Sequence, residues 1–169
     1  MKNRIEKTVF GLLIIIWMLF IFNFSNQIAD VSINTSGNTI RKLIGIFPST
    51  QNLSTEEKEK LVNDMQPIVR KLAHFSIYTL GGIIIYNFFN TYDLDNKKKF
   101  IYSFIVGGVY AVSDELHQLC VPGRSGELRD VLIDSCGVLV GILIMFLIYS
   151  IIEKRKEVKN ESINDSTNN

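Results

Sequence analysis

Four apolar stretches, each carrying or bordered by ionisable residues, constrain this chain more than any other feature: Thr8 to Phe24, Ile68 to Phe89, Phe100 to Val121 and Val131 to Ile152. A helix rising about 1.5 Å per residue needs about 20 mostly apolar residues to cross a hydrocarbon core, and each stretch is near that length. The first and fourth are almost unbroken. The second and third contain His74, Asp114, Glu115 and His117, while Asp130 and Asp134 stand where the fourth begins. A charge at the centre of a span costs about 2.5 to 3.5 kcal/mol on insertion scales, so such residues are functional candidates by default.

The expected fold class is all-α: a polytopic membrane protein with a four-transmembrane-helix bundle over residues 1–152. Its spans are expected at about 8–24, 68–89, 100–121 and 131–152, with a partly helical outer loop over 25–66 and a disordered tail over 153–169. Hydrophobic residues make up 47% of the chain and the net charge is only +1, which argues against an ordinary soluble domain and against nucleic-acid binding. The first stretch follows Lys2, Arg4 and Lys7 as a signal peptide would, but no small-x-small cleavage site follows Phe24. Cys120 and Cys136 lack metal-ligand spacing and read as small apolar fillers.

Lys and Arg near span ends resist translocation and so set orientation. Lys2, Arg4 and Lys7 precede the first span, Lys97 to Lys99 fill the connection between the second and third, and Lys154, Arg155, Lys156 and Lys159 follow the fourth. An even number of spans puts all three groups on one side, so both termini are expected in the cytoplasm of a multi-pass cell-membrane protein. Arg41, Lys42, Lys58, Lys60, Arg70, Lys71, Arg124 and Arg129 would then lie outside, in a long loop or within the polar cluster, where the rule is weaker.

Within the outer loop, Ser54 and Glu57 have the spacing of a capping box. Leu61, Val62, Met65, Ile68 and Val69 then recur at helical spacing, predicting a segment that lies on the membrane or packs over the bundle. Pro67 suits the first turn of the next span.

Residues three or four apart share a helix face. By that rule Lys71, His74, Tyr78 and Gly81 form one stripe; Gly107, Ala111, Asp114 and Gln118 form a second, with His117 adjoining; Asp130, Asp134, Gly137 and Gly141 form a third. Gly81, Gly82, Gly107, Gly108, Gly137 and Gly141 permit close helix approach. Facing stripes would bring His74, Asp114, His117 and Asp134 into one outward pocket. Glu115 is rotated by about 100° from Asp114 and points elsewhere. The plainer alternative is interhelical pairing, such as Lys71 or Arg124 with Asp130, and for Tyr78, Gln118, Arg70 and Arg129 taken singly that alternative is favoured.

Arg70-Lys71-Leu72-Ala73-His74-Phe75 with Tyr78, Ser113-Asp114-Glu115-Leu116-His117-Gln118 followed by Pro122-Gly123-Arg124, and Asp130-Val131 leading to Gly137 and Gly141 resemble the VanZ-like family of bacterial membrane proteins. Phe24-Ser25 with Gln27, Ser32 and Ser36 also resembles its pattern, whereas Glu127 stands where the family has a small residue after Gly126. The resemblance covers Trp17 to Gly141. It implies a multi-pass protein of the bacterial cytoplasmic membrane, in a family whose namesake is associated with resistance to the glycopeptide teicoplanin.

The expected action is at the outer face, on a cell-envelope or lipid-linked molecule such as a cell-wall precursor or lipid-linked phosphate, with the bilayer as the other partner. In an enzymatic version His74 or His117 is the general acid or base and Asp114 or Asp134 orients it. Arg124 would grip a phosphate or carboxylate in bidentate fashion, with Glu115, Gln118, Asp130, Lys71 and Tyr78 as further binding candidates. Asp114 and His117, three residues apart, permit a divalent metal without requiring one, and no cofactor is assigned. A non-enzymatic shielding protein and a small transporter remain the alternatives.

Overall fold

The computed structural model describes residues 2–26, 29–124 and 126–167, with the backbone alone for residues 2–3, 29–33 and 161–167. Gln27 thus lies outside the described residues, as does the side chain of Ser32. The described chain is helical: α1 (Lys2–Ser25), α2 (Ala29–Ile46), a single 3-10 turn at Pro48–Thr50, α3 (Thr55–Asn90), α4 (Asn96–Gln118) and α5 (Leu128–Thr167).

Apolar residues sit both inside and outside this bundle. Trp17, Tyr78, Tyr86, Val138 and Ile142 are buried at its centre, while Leu12, Ile15, Ile16, Leu19, Ile105, Val109, Leu147 and Ile151 form an exposed apolar belt. Such a belt is unfavourable in water and natural in lipid. Among the described residues three helices are long and apolar enough to cross a membrane: Arg4–Ser25, Thr55–Asn90 and Leu128–Asn160. The chain is accordingly a membrane protein. The expected third span, α4, falls short on composition, because Lys97 to Lys99 open it, Asp114, Glu115 and His117 close it, and Ser103, Gly107 and Asp114 face its neighbours.

The principal seam joins α3 to α5. A Cβ added at Gly141 would overlap the Thr79 carbonyl oxygen, one at Gly82 the Val138 carbonyl oxygen, and one at Gly137 would stand 2.5 Å from the Phe75 carbonyl oxygen. The two backbones therefore touch where a side chain would hold them apart. Gly107 likewise admits the Val138 side chain and Gly81 the Trp17 ring, but Gly108 faces open space and plays no part in packing. Trp17 closes the interface from α1: its Nε1 donates to the Ile77 carbonyl oxygen at 2.9 Å and its ring meets Tyr78 edge-on.

The expected loop over 25–66 is mostly helix. Ile40 and Ile44 of α2 are one turn apart and pack on Val62 of α3, so tertiary burial overrides the low helix propensity of the surrounding Ser, Asn and Thr residues. Arg41 locks the pair from outside, donating from Nε and Nη2 to the two carboxylate oxygens of Glu59 at 2.9 and 2.8 Å. The capping box forms as expected, with Ser54 and Glu57 exchanging hydrogen bonds. Pro67, however, is an interior residue of a 36-residue helix and not the start of a new one. Its missing N–H frees the carbonyl of Asn63, which lies on an exposed face where water can serve it. At the other terminus α5 runs through the expected disordered tail to Thr167, in a segment whose Glu, Lys and Arg residues are good helix formers.

Contacts also fix the two ends of the bundle. Lys7 lies over the Tyr92 ring at 4.0 Å and Asn96 donates to Glu153 at 3.2 Å, so the three basic groups share one end. There Asp95 caps α4, its Oδ1 accepting from the Lys98 amide at 2.8 Å. That bond, with the Lys98 ammonium, holds the Asp95 carboxyl below its ordinary value. The cap's stabilisation is present above the ordinary Asp value and is lost as pH falls through the lower folded one. Asp95→Ala should lower the thermal midpoint in detergent at pH 7, and its deficit relative to wild type should vanish in strong acid.

Candidate functional site

At the opposite end, α3, α4 and α5 bring their stripes together. His74 lies one turn beyond Lys71 on α3, Asp114 near the end of α4 and Asp134 in the second turn of α5. His74 Nδ1 is 3.6 Å from Asp134 Oδ1, and one ligand atom from each of His74, Asp114 and Asp134 lies within 4.8 Å of the others. Tyr78, one turn below His74, is fully buried beside both carboxylates.

Above this floor is a cavity of about 250 Å³, lined by Arg70, Lys71, His74, Gln118, Arg124, Glu127, Asp130 and Asp134 together with Pro67, Gly123 and Ile133. Drug-sized ligands occupy about 300 to 1,000 Å³, so this space suits a headgroup better than a whole molecule. Polar contacts hold its walls. Lys71 Nζ pairs with Asp130 Oδ1 at 2.8 Å and reaches Glu127 Oε2 at 3.9 Å. Gln118 links α4 to the loop that follows it: its Nε2 donates to Asp114 Oδ2 at 3.2 Å and its Oε1 accepts from Arg124 Nη1 at 3.4 Å. Glu115 points away from the floor, as its phase requires, and accepts from the Glu127 amide at 2.6 Å, pinning the loop to α4.

Arg124 and Arg70 stand close together at this wall. Burial, and then the like charge of Arg70, lower the Arg124 guanidinium below its usual value, though an arginine so placed stays charged. Two adjacent planar forks suit a phosphate or carboxylate.

Of the expected catalytic candidates, His74, Asp114 and Asp134 are thus brought together, and His117 is not. Its ring stacks on Phe22 of α1 at 4.5 Å, and it does not line the cavity. It directly precedes Gln118, but that single step turns the side chain by about 100° toward α1. Among the binding candidates Arg124, Gln118, Asp130 and Lys71 line the cavity, Tyr78 supports its floor and Glu115 serves the loop. Sequence reasoning underrated Arg70, whose position one turn before His74 on the same face was the available signal. It also missed Trp17, the single tryptophan of the chain, which braces Tyr78 from behind.

No curated protein and no solved structure matches the chain. A family model described as VanZ/LLP1 matches residues 10–149, a stretch containing α3, α4, the cavity loop and the seam with α5, and the chain therefore belongs to the VanZ/LLP1 family.

Proposed function

We propose that this protein crosses the bacterial cytoplasmic membrane four times, with both termini in the cytoplasm, and that its cavity takes the anionic headgroup of a cell-envelope or lipid-linked molecule at the outer face. The observation carrying this reading is the pair Arg70 and Arg124 set in the wall above His74 and Asp134. The grouping of Lys7, Asn96 and Glu153 at the far end supports the orientation, because it collects the basic flanks on one side. α4 is included as a span because it packs between α1, α3 and α5 and exposes Ile101, Ile105, Val109 and Val112.

In this reading His74, with Asp134 beside its ring, is the side chain that meets the bound headgroup. A contribution to teicoplanin resistance follows if the bound molecule is a cell-wall precursor. A transporter is disfavoured by the placement of the site at one end, since such sites usually lie at midplane.

Binding of lipid-linked phosphates in nanodiscs tests the headgroup. Charge-assisted hydrogen bonds contribute about 1.5 to 3 kcal/mol each, so Arg124→Ala should weaken binding at least about tenfold and Arg70→Ala similarly. Turnover across lipid II, undecaprenyl phosphate and phospholipids separates catalysis from shielding. In cells, His74→Ala at wild-type membrane abundance should change teicoplanin susceptibility; unchanged susceptibility and unchanged lipid binding together would sink the proposal.

A further inference from the structure

Asp134 is 1% exposed, and among the described residues neither of its carboxylate oxygens accepts a hydrogen bond. Asp114, 4% exposed, faces the same space and accepts one bond, from Gln118. Two carboxylates buried side by side in an apolar bundle need compensation. His74 Nδ1 at 3.6 Å is too distant for a good hydrogen bond, and an imidazolium would offset one negative charge of the two. A divalent cation offsets both and leaves the imidazole neutral, the form that ligates metals.

We propose that His74, Asp114 and Asp134 hold one divalent first-row metal ion at the cavity floor. One imidazole and two carboxylates form a mixed nitrogen and oxygen donor set suited to Mn²⁺ or Zn²⁺. Bonds of about 2.0 to 2.2 Å place neighbouring donors about 3 to 3.5 Å apart. The three ligand atoms lie within 4.8 Å of one another, so the shell must contract on binding, and Asp134 can supply that movement because among the described residues no donor hydrogen-bonds its oxygens. Gln118 orients Asp114 from behind, and the Tyr78 hydroxyl lies beside both carboxylates. Three protein ligands leave further coordination positions, and His74 and Asp134 border the cavity, so those positions are reachable by an anionic headgroup. The ion stands on these side chains alone; its use on a headgroup rests on the function proposed above.

Full-length protein in detergent, stripped with chelator, reloaded with Mn²⁺ or Zn²⁺ and passed over a sizing column, should retain about one ion per chain by elemental analysis. Asp134→Asn and Asp114→Asn should each weaken retention at least about tenfold, whereas His117→Ala should bind as wild type does. The ion should also raise the thermal midpoint of wild type and not of Asp134→Asn. Substoichiometric metal on the wild type, or undiminished binding by both folded Asn variants, overturns the assignment. If neither variant folds, the wild-type stoichiometry decides. Arg124→Ala should keep the ion while losing the lipid, so a failure of either reading leaves the other testable.

Discussion

Gly141→Leu is expected to abolish accumulation of folded protein. The first atom added, Cβ, would overlap the Thr79 carbonyl oxygen and stand 2.9 Å from the Ile83 amide nitrogen, both backbone atoms that cannot rotate aside. Overpacking a core that can adjust costs about 1 to 3 kcal/mol. Here only separation of α3 from α5 makes room, and that separation also loosens Gly137 and Gly82 in the same seam. The loss should therefore exceed about 3 kcal/mol, comparable with much of a domain's total stability. Gly108→Leu is the matched control, because its Cβ meets nothing within 4 Å. Sizing-column yield and thermal unfolding of the two variants compare them directly. Equal behaviour would mean that the seam is not backbone to backbone.

The second large effect concerns the buried charge. In protein stripped of metal, His74→Ala removes the nearest charge-compensating partner of Asp134 and should destabilise the protein by about 3 kcal/mol. That is the lower part of the range for stripping one partner from a buried pair, because the imidazole is 33% exposed. Adding Asp134→Asn removes the stranded charge, so the double variant should unfold closer to wild type than His74→Ala does. Lipid binding or turnover should stay lost in both. A double variant no more stable than the single one would show that Asp134 is not carrying an uncompensated charge when His74 is absent.

The convergence of His74, Asp114 and Asp134 was legible because helical phase and span direction each place them at one level and on one face. The glycine stripes were legible for the same reason, except at Gly108, which adjoins Gly107 but lies about 100° around the helix. Side chains at neighbouring positions on a helix point about 100° apart, and the same rule separated His117 from Gln118. What stayed hidden depended on contacts between segments. α2 is polar in composition and owes its helix to burial of Ile40 and Ile44 against Val62. Pro67 reads as a start, yet helix on both sides carries the chain through it. Arg70 reads as a generic flank charge until Arg124, carried in by a loop, stands beside it. The low hydropathy of α4 has a related source: Ser103, Asp114 and Gln118 are polar yet buried against its neighbours, while Lys97 and Lys98 stand exposed at its start.

Gly137 sits three residues after Asp134 and rests against the carbonyl of Phe75, the residue following His74. The contact that spaces the two helices is thus less than one turn from both side chains of the floor. It works as a keyway, in which α5 can neither slide nor roll past α3 without moving Asp134 off His74. Variation in what this protein recognises must then come from the unkeyed wall, where the side chains of Gln118, Arg124 and Glu127 are held by polar contacts and not by backbone packing between helices. Specificity can drift there while the floor keeps its tolerance.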